Sequence, residues 1–178
     1  MFLFFDYDAH QTNLGKSDDV DVINQMLESF DNETENGKLY ISYPMVEALR
    51  DFEAGKCGNG DNCLVEISDL AEYKNISSRN SLNPHFRDYN IDVWKEIVDV
   101  FSMRISCLLG NAEVISYEQY LDEANPHDIF ICEQALAGNN KVFIISAFPE
   151  FLVDYFGMKL WRTCVKHAKN QLDICNCK

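Results

Sequence analysis

Four apolar residues, Phe2-Leu3-Phe4-Phe5, run straight into Asp6-Tyr7-Asp8. A short continuous apolar run bounded by polar residues fits a strand buried on both faces, the kind that parallel sheets contain. Such a strand requires covering helices, and this narrows the possible folds more than any other feature of the chain. The following residues supply one. Ser17, Asp18 and Asp19 offer a helix cap and favourable first-turn charge, and Val20, Ile23, Leu27 and Phe30 recur at helical spacing. Asp31 to Gly37 has turn composition, and Lys38 to Tyr43 reads as a second strand. Pro44 suits the first turn of a helix carrying Val46, Leu49 and Phe52. Strand, helix, strand implies a parallel, right-handed crossover. The expected fold is therefore α/β, a single domain over residues 1–178 with a partly parallel sheet and flanking helices, in which residues 1–53 form a β-α-β-α unit.

Residues 64–90 carry a short apolar patch and a Ser/Asn/Pro-rich stretch that assign no element. Asn90 or Asp92 then caps a long helix through Trp94, Ile97, Val98, Phe101, Ile105 and Leu108, ending at Gly110. Shorter helices follow Ser116 and start at Pro126, Lys141 to Ser146 reads as a buried strand, and Glu150 to Phe156 as a helix stopped by Gly157. Met158 to Leu172 fits a basic helix. Residues 90–178 are thus expected to be mainly helical with one buried strand, a helix-rich C-terminal half.

Open α/β sheets place ligands beyond the C-terminal ends of their strands, where Asp6 and Asp8 fall. Residues two apart on a strand point the same way. Two converging carboxylates repel each other unless a proton or cation lies between them, and ligation by oxygen alone suits Mg²⁺ or Mn²⁺. If the first two strands are neighbours, Tyr43 to Glu47 ends at the same edge and Glu47 is the third carboxylate. A plainer reading of the same residues has Asp6 and Asp8 ending a strand and Glu47 complementing a helix dipole. Ser146 and Glu150 lie at a third strand end. His10 is the one histidine near the pair in sequence, as ligand or proton shuttle, or simply as a loop residue.

Other chemistries are excluded by absence or by charge. There is no Gly-x-x-x-x-Gly-Lys, Gly-x-Ser-x-Gly or His-Glu-x-x-His, and no apolar run near the roughly 20 residues of a membrane span, so no membrane role is expected. The net charge is −14. Residues 1–157 hold ten Lys/Arg against twenty-eight Asp/Glu, whereas residues 158–178 hold five against one. Such a body repels a phosphate backbone, so a nucleic-acid partner would need the metal or the basic C-terminal segment for attraction. Seven cysteines, an odd number, and no leader pattern imply a cytoplasmic protein with mostly free thiols. Cys57, Cys63, Cys175 and Cys177 do not match zinc-knuckle spacing.

An apolar strand ending in Asp-x-Asp, then a helix, then a strand entering a Pro-x-x-Glu turn (Phe5-Asp6-Tyr7-Asp8 and Tyr43-Pro44-Met45-Val46-Glu47) resembles the Toprim-like domains of bacterial phage-defence and abortive-infection proteins, relatives of the OLD-type nucleases. Ser146-Ala147-Phe148-Pro149-Glu150-Phe151-Leu152 and Asp154-Tyr155-Phe156-Gly157 are also similar to segments of bacterial proteins of this kind. The resemblance implies a Rossmannoid sheet and Mg²⁺-dependent phosphodiester hydrolysis, with Asp6, Asp8 and Glu47 as catalytic and metal-binding residues. Toprim domains also carry a Glu on a strand preceding the Asp-x-Asp strand, which this chain lacks. The chain is then an N-terminally truncated member, or Glu47 substitutes, or the domain is inactive. Two readings compete. A haloacid-dehalogenase-like phosphatase would use Asp6 as nucleophile, but Ala9-His10-Gln11 follows where that family has Thr or Ser. A non-catalytic interaction module would dock on an ATPase or toxin partner, or on a second copy of itself, through an open sheet edge beside Phe2 and Phe4.

Overall fold

The computed structural model describes residues 1–7, 17–32, 35–54, 63–81 and 85–165. Strand β1 (Phe2–Asp6) pairs in parallel with β3 (Gly37–Ser42), with Phe2 opposite Lys38 and Asp6 opposite Ser42. Helix α1 (Ser17–Ser29) lies between them in the chain, so the strand-helix-strand expectation holds. A two-residue strand, β2 (Asp31–Asn32), pairs antiparallel with β3 inside the segment whose composition reads as a turn. The sheet order is β1-β3-β2. The central position of β3 explains why nearly all its residues are buried, with Lys38 the half-buried exception.

The β1 expectation requires a correction. Among the described residues it is an edge strand, and Phe4, Phe5 and Asp6 are exposed. Its phenyl rings find partial cover on a helix: Phe2 and Phe4 pack on Phe151, and Phe4 stacks on Phe148 with centroids 5.6 Å apart.

After the cis peptide Tyr43–Pro44 the chain enters a 3₁₀ helix, Val46–Ala54, in place of the expected α-helix. Leu49 and Phe52, three apart, share its buried side, as the 3₁₀ period requires. The segment that assigned no element from sequence holds β4 (Leu64–Glu66) and α2 (Leu70–Asn80). The long helix α3 (Ile91–Leu108) starts where its cap does, with Asn90 Oδ1 accepting from the Asp92 and Val93 amides. Ser116 and Gln119 form a capping box on α4 (Tyr117–Glu123), and Asn125 caps α5 (Pro126–Ala137) with Pro126 in its first turn. Strand β5 (Lys141–Phe143) pairs antiparallel with β4, and an antiparallel bridge from Ile145 to Tyr43 ties this pair to the end of β3. The β1–β3 pair is thus the only parallel pairing among the described residues, and the sheet is small and mixed.

Helix α6 (Ala147–Cys164) begins earlier than its sequence pattern suggests and does not stop at Gly157. That residue takes φ 64°, ψ −156°, a conformation readily open to glycine, and the helix kinks there and continues. Along β3, Lys38, Tyr40 and Ser42 make their side-chain contacts with α6 and its N-terminal turn, while Leu39, Ile41 and Tyr43 join the main core with Ile23, Leu27 and Phe130. The sheet is therefore sandwiched between α6 on one face and α1 with α5 on the other. A second cluster of Leu49, Phe52, Tyr89, Ile97 and Val100 packs the 3₁₀ helix against α3.

Cys63 is disulfide-bonded, which corrects the expectation of mostly free thiols at that residue; Cys107, Cys132 and Cys164 are free. Among the described residues no helix is long and apolar enough to cross a membrane. Asp8, His10, Cys57, Cys175, Cys177 and the rest of the basic C-terminal segment beyond Val165 lie outside the described residues.

Candidate functional site

A cleft of about 480 Å³ opens at the C-terminal end of the parallel pair, lined by Phe4, Phe5, Asp6, Ser42, Val46, Ser146 and Phe148. The pairing register sets Asp6 beside Ser42, and the turn after β3 delivers Val46. A hydrogen bond from the Ala147 amide to Ser42 Oγ (3.2 Å) fastens the start of α6 against the strand end. Phe4 is 49% exposed, Val46 42%, Phe148 39% and Phe5 36%, so the described lining is apolar and mainly aromatic, with Asp6 as its one acidic residue.

The helix start beside the cleft does not offer a phosphate cradle. Such cradles use the amides of the first helical turn, which lack partners within the helix. Here the Ala147 amide donates to Ser42 Oγ, the Phe148 amide donates to Ser146 Oγ (3.3 Å), and Pro149 has no N–H.

Of the two described carboxylates expected to converge, Asp6 lines this cleft and Glu47 does not. Glu47 is buried in the first turn of the 3₁₀ helix, and its Oε1 lies 3.2 Å from Lys74 Nζ on α2. Val46, its neighbour, faces the hollow instead. No group of three His, Cys, Asp or Glu side chains suited to a metal occurs among the described residues. The described donor set therefore does not by itself fit Mg²⁺, and Asp8 lies outside it. Ser146 reaches the cleft as the α6 cap, while Glu150 turns inward and is buried. Phe5, Ser42, Val46 and Phe148 were not singled out from sequence as site residues. The exposure of Phe148 has no local signature, since an apolar residue at a helix start reads equally well as core.

Two buried polar groups flank the strands. On the α6 face, Asp154 accepts hydrogen bonds from Lys38, from Tyr40 Oη at 3.1 Å and from Tyr120 Oη at 3.1 Å. Glu150, one turn earlier, has no hydrogen-bond partner for Oε1 among the described residues, and burial, with Asp154 adding repulsion, holds its carboxyl well above the usual glutamate range. On the opposite face, Glu133 of α5 is fully buried. Its Oε2 accepts from the Phe143 amide at 3.0 Å, while its Oε1 and the hydroxyls of Tyr7 and Tyr43 have no hydrogen-bond partner among the described residues. Burial raises the Glu133 carboxyl well above its ordinary 4.5, although the Phe143 amide works against the shift.

A carboxyl whose folded pKa is raised keeps its proton in the native state at pH values where the unfolded chain has lost it. The unfolded state then binds fewer protons, and stability falls as pH rises above the ordinary glutamate range. Glu133→Gln keeps an acceptor for the Phe143 amide and removes the titration. Urea unfolding between pH ~5 and ~8 is expected to show a shallower loss of stability with pH in the variant than in the wild type. Equal slopes would place the titrating carboxyl elsewhere.

Compared with protein-family models, curated proteins and solved structures, the chain matches none.

Proposed function

We propose that this chain is an interaction module that takes an extended segment of another polypeptide onto the free edge of β1. The supporting observation is that, among the described residues, β1 is the edge strand of its sheet and lies beside the aromatic cleft. Lys38 N donates to Met1 O and Tyr7 N donates to Ser42 O, so the odd-numbered residues of β1 bond to β3. Strand alternation then turns the amide groups of Phe2 and Phe4 to the side where no described strand lies. An edge with free donors and acceptors recruits a strand, and neighbouring pockets select its side chains. Phe4, Phe5 and Phe148 provide such a pocket.

A random-peptide display selection on the immobilised protein tests this reading, with Phe4→Pro as counter-target. Proline at position 4 removes an outward N–H and none of the bonds to β3, a substitution that edge strands accept. Enriched peptides are expected to bind the wild type, to bind Phe4→Ala more weakly through loss of the ring, and to lose Phe4→Pro altogether. Peptides that bind Phe4→Pro as well as the wild type would contradict strand addition.

A second reading is Toprim-like, Mg²⁺- or Mn²⁺-dependent phosphodiester hydrolysis using Asp6, Asp8 and Glu47. It is favoured by the position of Asp6, at the C-terminal edge of a parallel crossover and on the rim of a cleft. A ligand that binds only the native state raises stability by mass action. Mg²⁺ or Mn²⁺ should then raise the melting temperature of the wild type, and Asp6→Asn combined with Asp8→Asn should abolish the shift. An unchanged wild-type melting curve would remove this reading.

A further inference from the structure

We infer that one internal water molecule is bound on the α5 side of the sheet, shared by Tyr7 Oη, Tyr43 Oη and Glu133 Oε1. All three side chains are buried to within 1% of complete. None of the three atoms has a hydrogen-bond partner among the described residues, so they do not bond one another directly. The side chains nevertheless converge from three elements. Tyr7 continues β1, its amide donating to Ser42 O at 3.0 Å, and its ring lies 5.0 Å from that of Tyr43 at the end of β3. Tyr7 also meets Phe130, which precedes Glu133 by three residues and so shares its side of α5. Burial raises both phenols above their ordinary range, and of the charged groups Glu133 acts most strongly on each. Both hydroxyls thus lie in the field of one carboxyl.

A buried polar atom without a hydrogen bond is costly, and internal waters occur where about three such atoms meet. The hydrogens balance around one water. The Glu133 carboxyl, kept uncharged by burial, accepts through Oε2 from the Phe143 amide, which leaves its proton on Oε1. That proton is donated to the water, one phenol donates to the water as well, and the other phenol accepts from it. Other occupants fit less well. A cation would find neutral phenols and an uncharged carboxyl. An anion would compete for the Phe143 amide, which Oε2 already holds. An apolar occupant would leave all three atoms unbonded. The water joins the ends of β1 and β3 to α5, whether or not a peptide docks on β1.

Oxygen-17 relaxation dispersion of the solvent counts water molecules held inside the full chain for longer than the protein takes to tumble. The wild type is compared with Tyr7→Phe, with Tyr43→Phe and with the double variant, all of which keep the rings and their packing. The double variant leaves the water one partner of three, and its dispersion amplitude should fall by the equivalent of one water molecule. Stability supplies a second readout with a definite sign. Each single variant is expected to raise the unfolding constant about threefold or more, and the double variant about tenfold or more, as the loss of one or two net hydrogen bonds does. Hydroxyls that were merely unbonded would give the opposite, because deleting a buried unpaired group leaves stability unchanged or raises it. An unchanged dispersion amplitude in the double variant, or single variants at least as stable as the wild type, would overturn the water site.

Discussion

Arg104→Met is expected to lower unfolding stability by about 3–5 kcal/mol, the usual cost of removing one partner from a buried charge pair. Arg104 lies on α3 and is almost completely buried. Its Nη1 donates to Ile144 O at 2.9 Å and its Nη2 donates to Asp51 O at 2.7 Å. One side chain thus joins α3, the strand that leads into α6, and the end of the 3₁₀ helix. The Asp51 carboxylate accepts from Tyr73 Oη and also lies in the field of the guanidinium, which opposes the upward push of burial on its pKa. Methionine keeps much of the aliphatic volume but strands two carbonyls and leaves Asp51 with only the weaker opposing charge of Arg50. Chemical unfolding of the purified variant measures the loss. A change within about 1 kcal/mol, ordinary for a surface position, would show that water replaces the guanidinium at low cost.

Phe130→Ala should cost a similar amount, about 3–5 kcal/mol, as large-to-small changes of a buried aromatic do. The ring is completely buried on α5 and meets Tyr7 edge to face, with centroids 5.9 Å apart. Tyr7 in turn packs on Tyr43 at 5.0 Å, so the cavity would open beneath the ends of β1 and β3. The adjacent Ile131 is 48% exposed, and Ile131→Ala should change stability by no more than about 0.5 kcal/mol. The contrast between neighbours separates burial from helix propensity. Similar losses at both positions would mean that α5 docks in a different rotation.

The parts of this fold that were legible in the sequence are those fixed by local chemistry. Asn90, Ser116 and the Asn125-Pro126 pair each mark a helix start by a side chain that caps it, and α3, α4 and α5 begin there. The parallel crossover followed from the order of two strands and a helix. What was not legible depends on distant partners. A run of phenylalanines reads as a strand covered on both faces, yet on β1 the cover comes partly from Phe148 and Phe151 of α6, and among the described residues β1 has a strand neighbour on one side only. Glu47 was expected beside Asp6, but its partner Lys74 comes from α2, a helix with weak apolar periodicity in the segment that assigned no element. Gly157 reads as a helix stop, because nothing local distinguishes a terminal left-handed glycine from one that only kinks the helix. The rim of the cleft is therefore a tertiary product, of which Asp6 was the part visible in advance.

Amide hydrogen exchange on β1, with and without a peptide selected for binding, is the most direct check on strand addition. The Phe2 and Phe4 amides, which turn away from β3, should gain strong protection when the peptide binds. The Leu3 and Phe5 amides, already turned to β3, should change little. Protection that appears elsewhere while Phe2 and Phe4 exchange as fast as in the free protein would show that the peptide binds some other surface, and that β1 is not the docking edge.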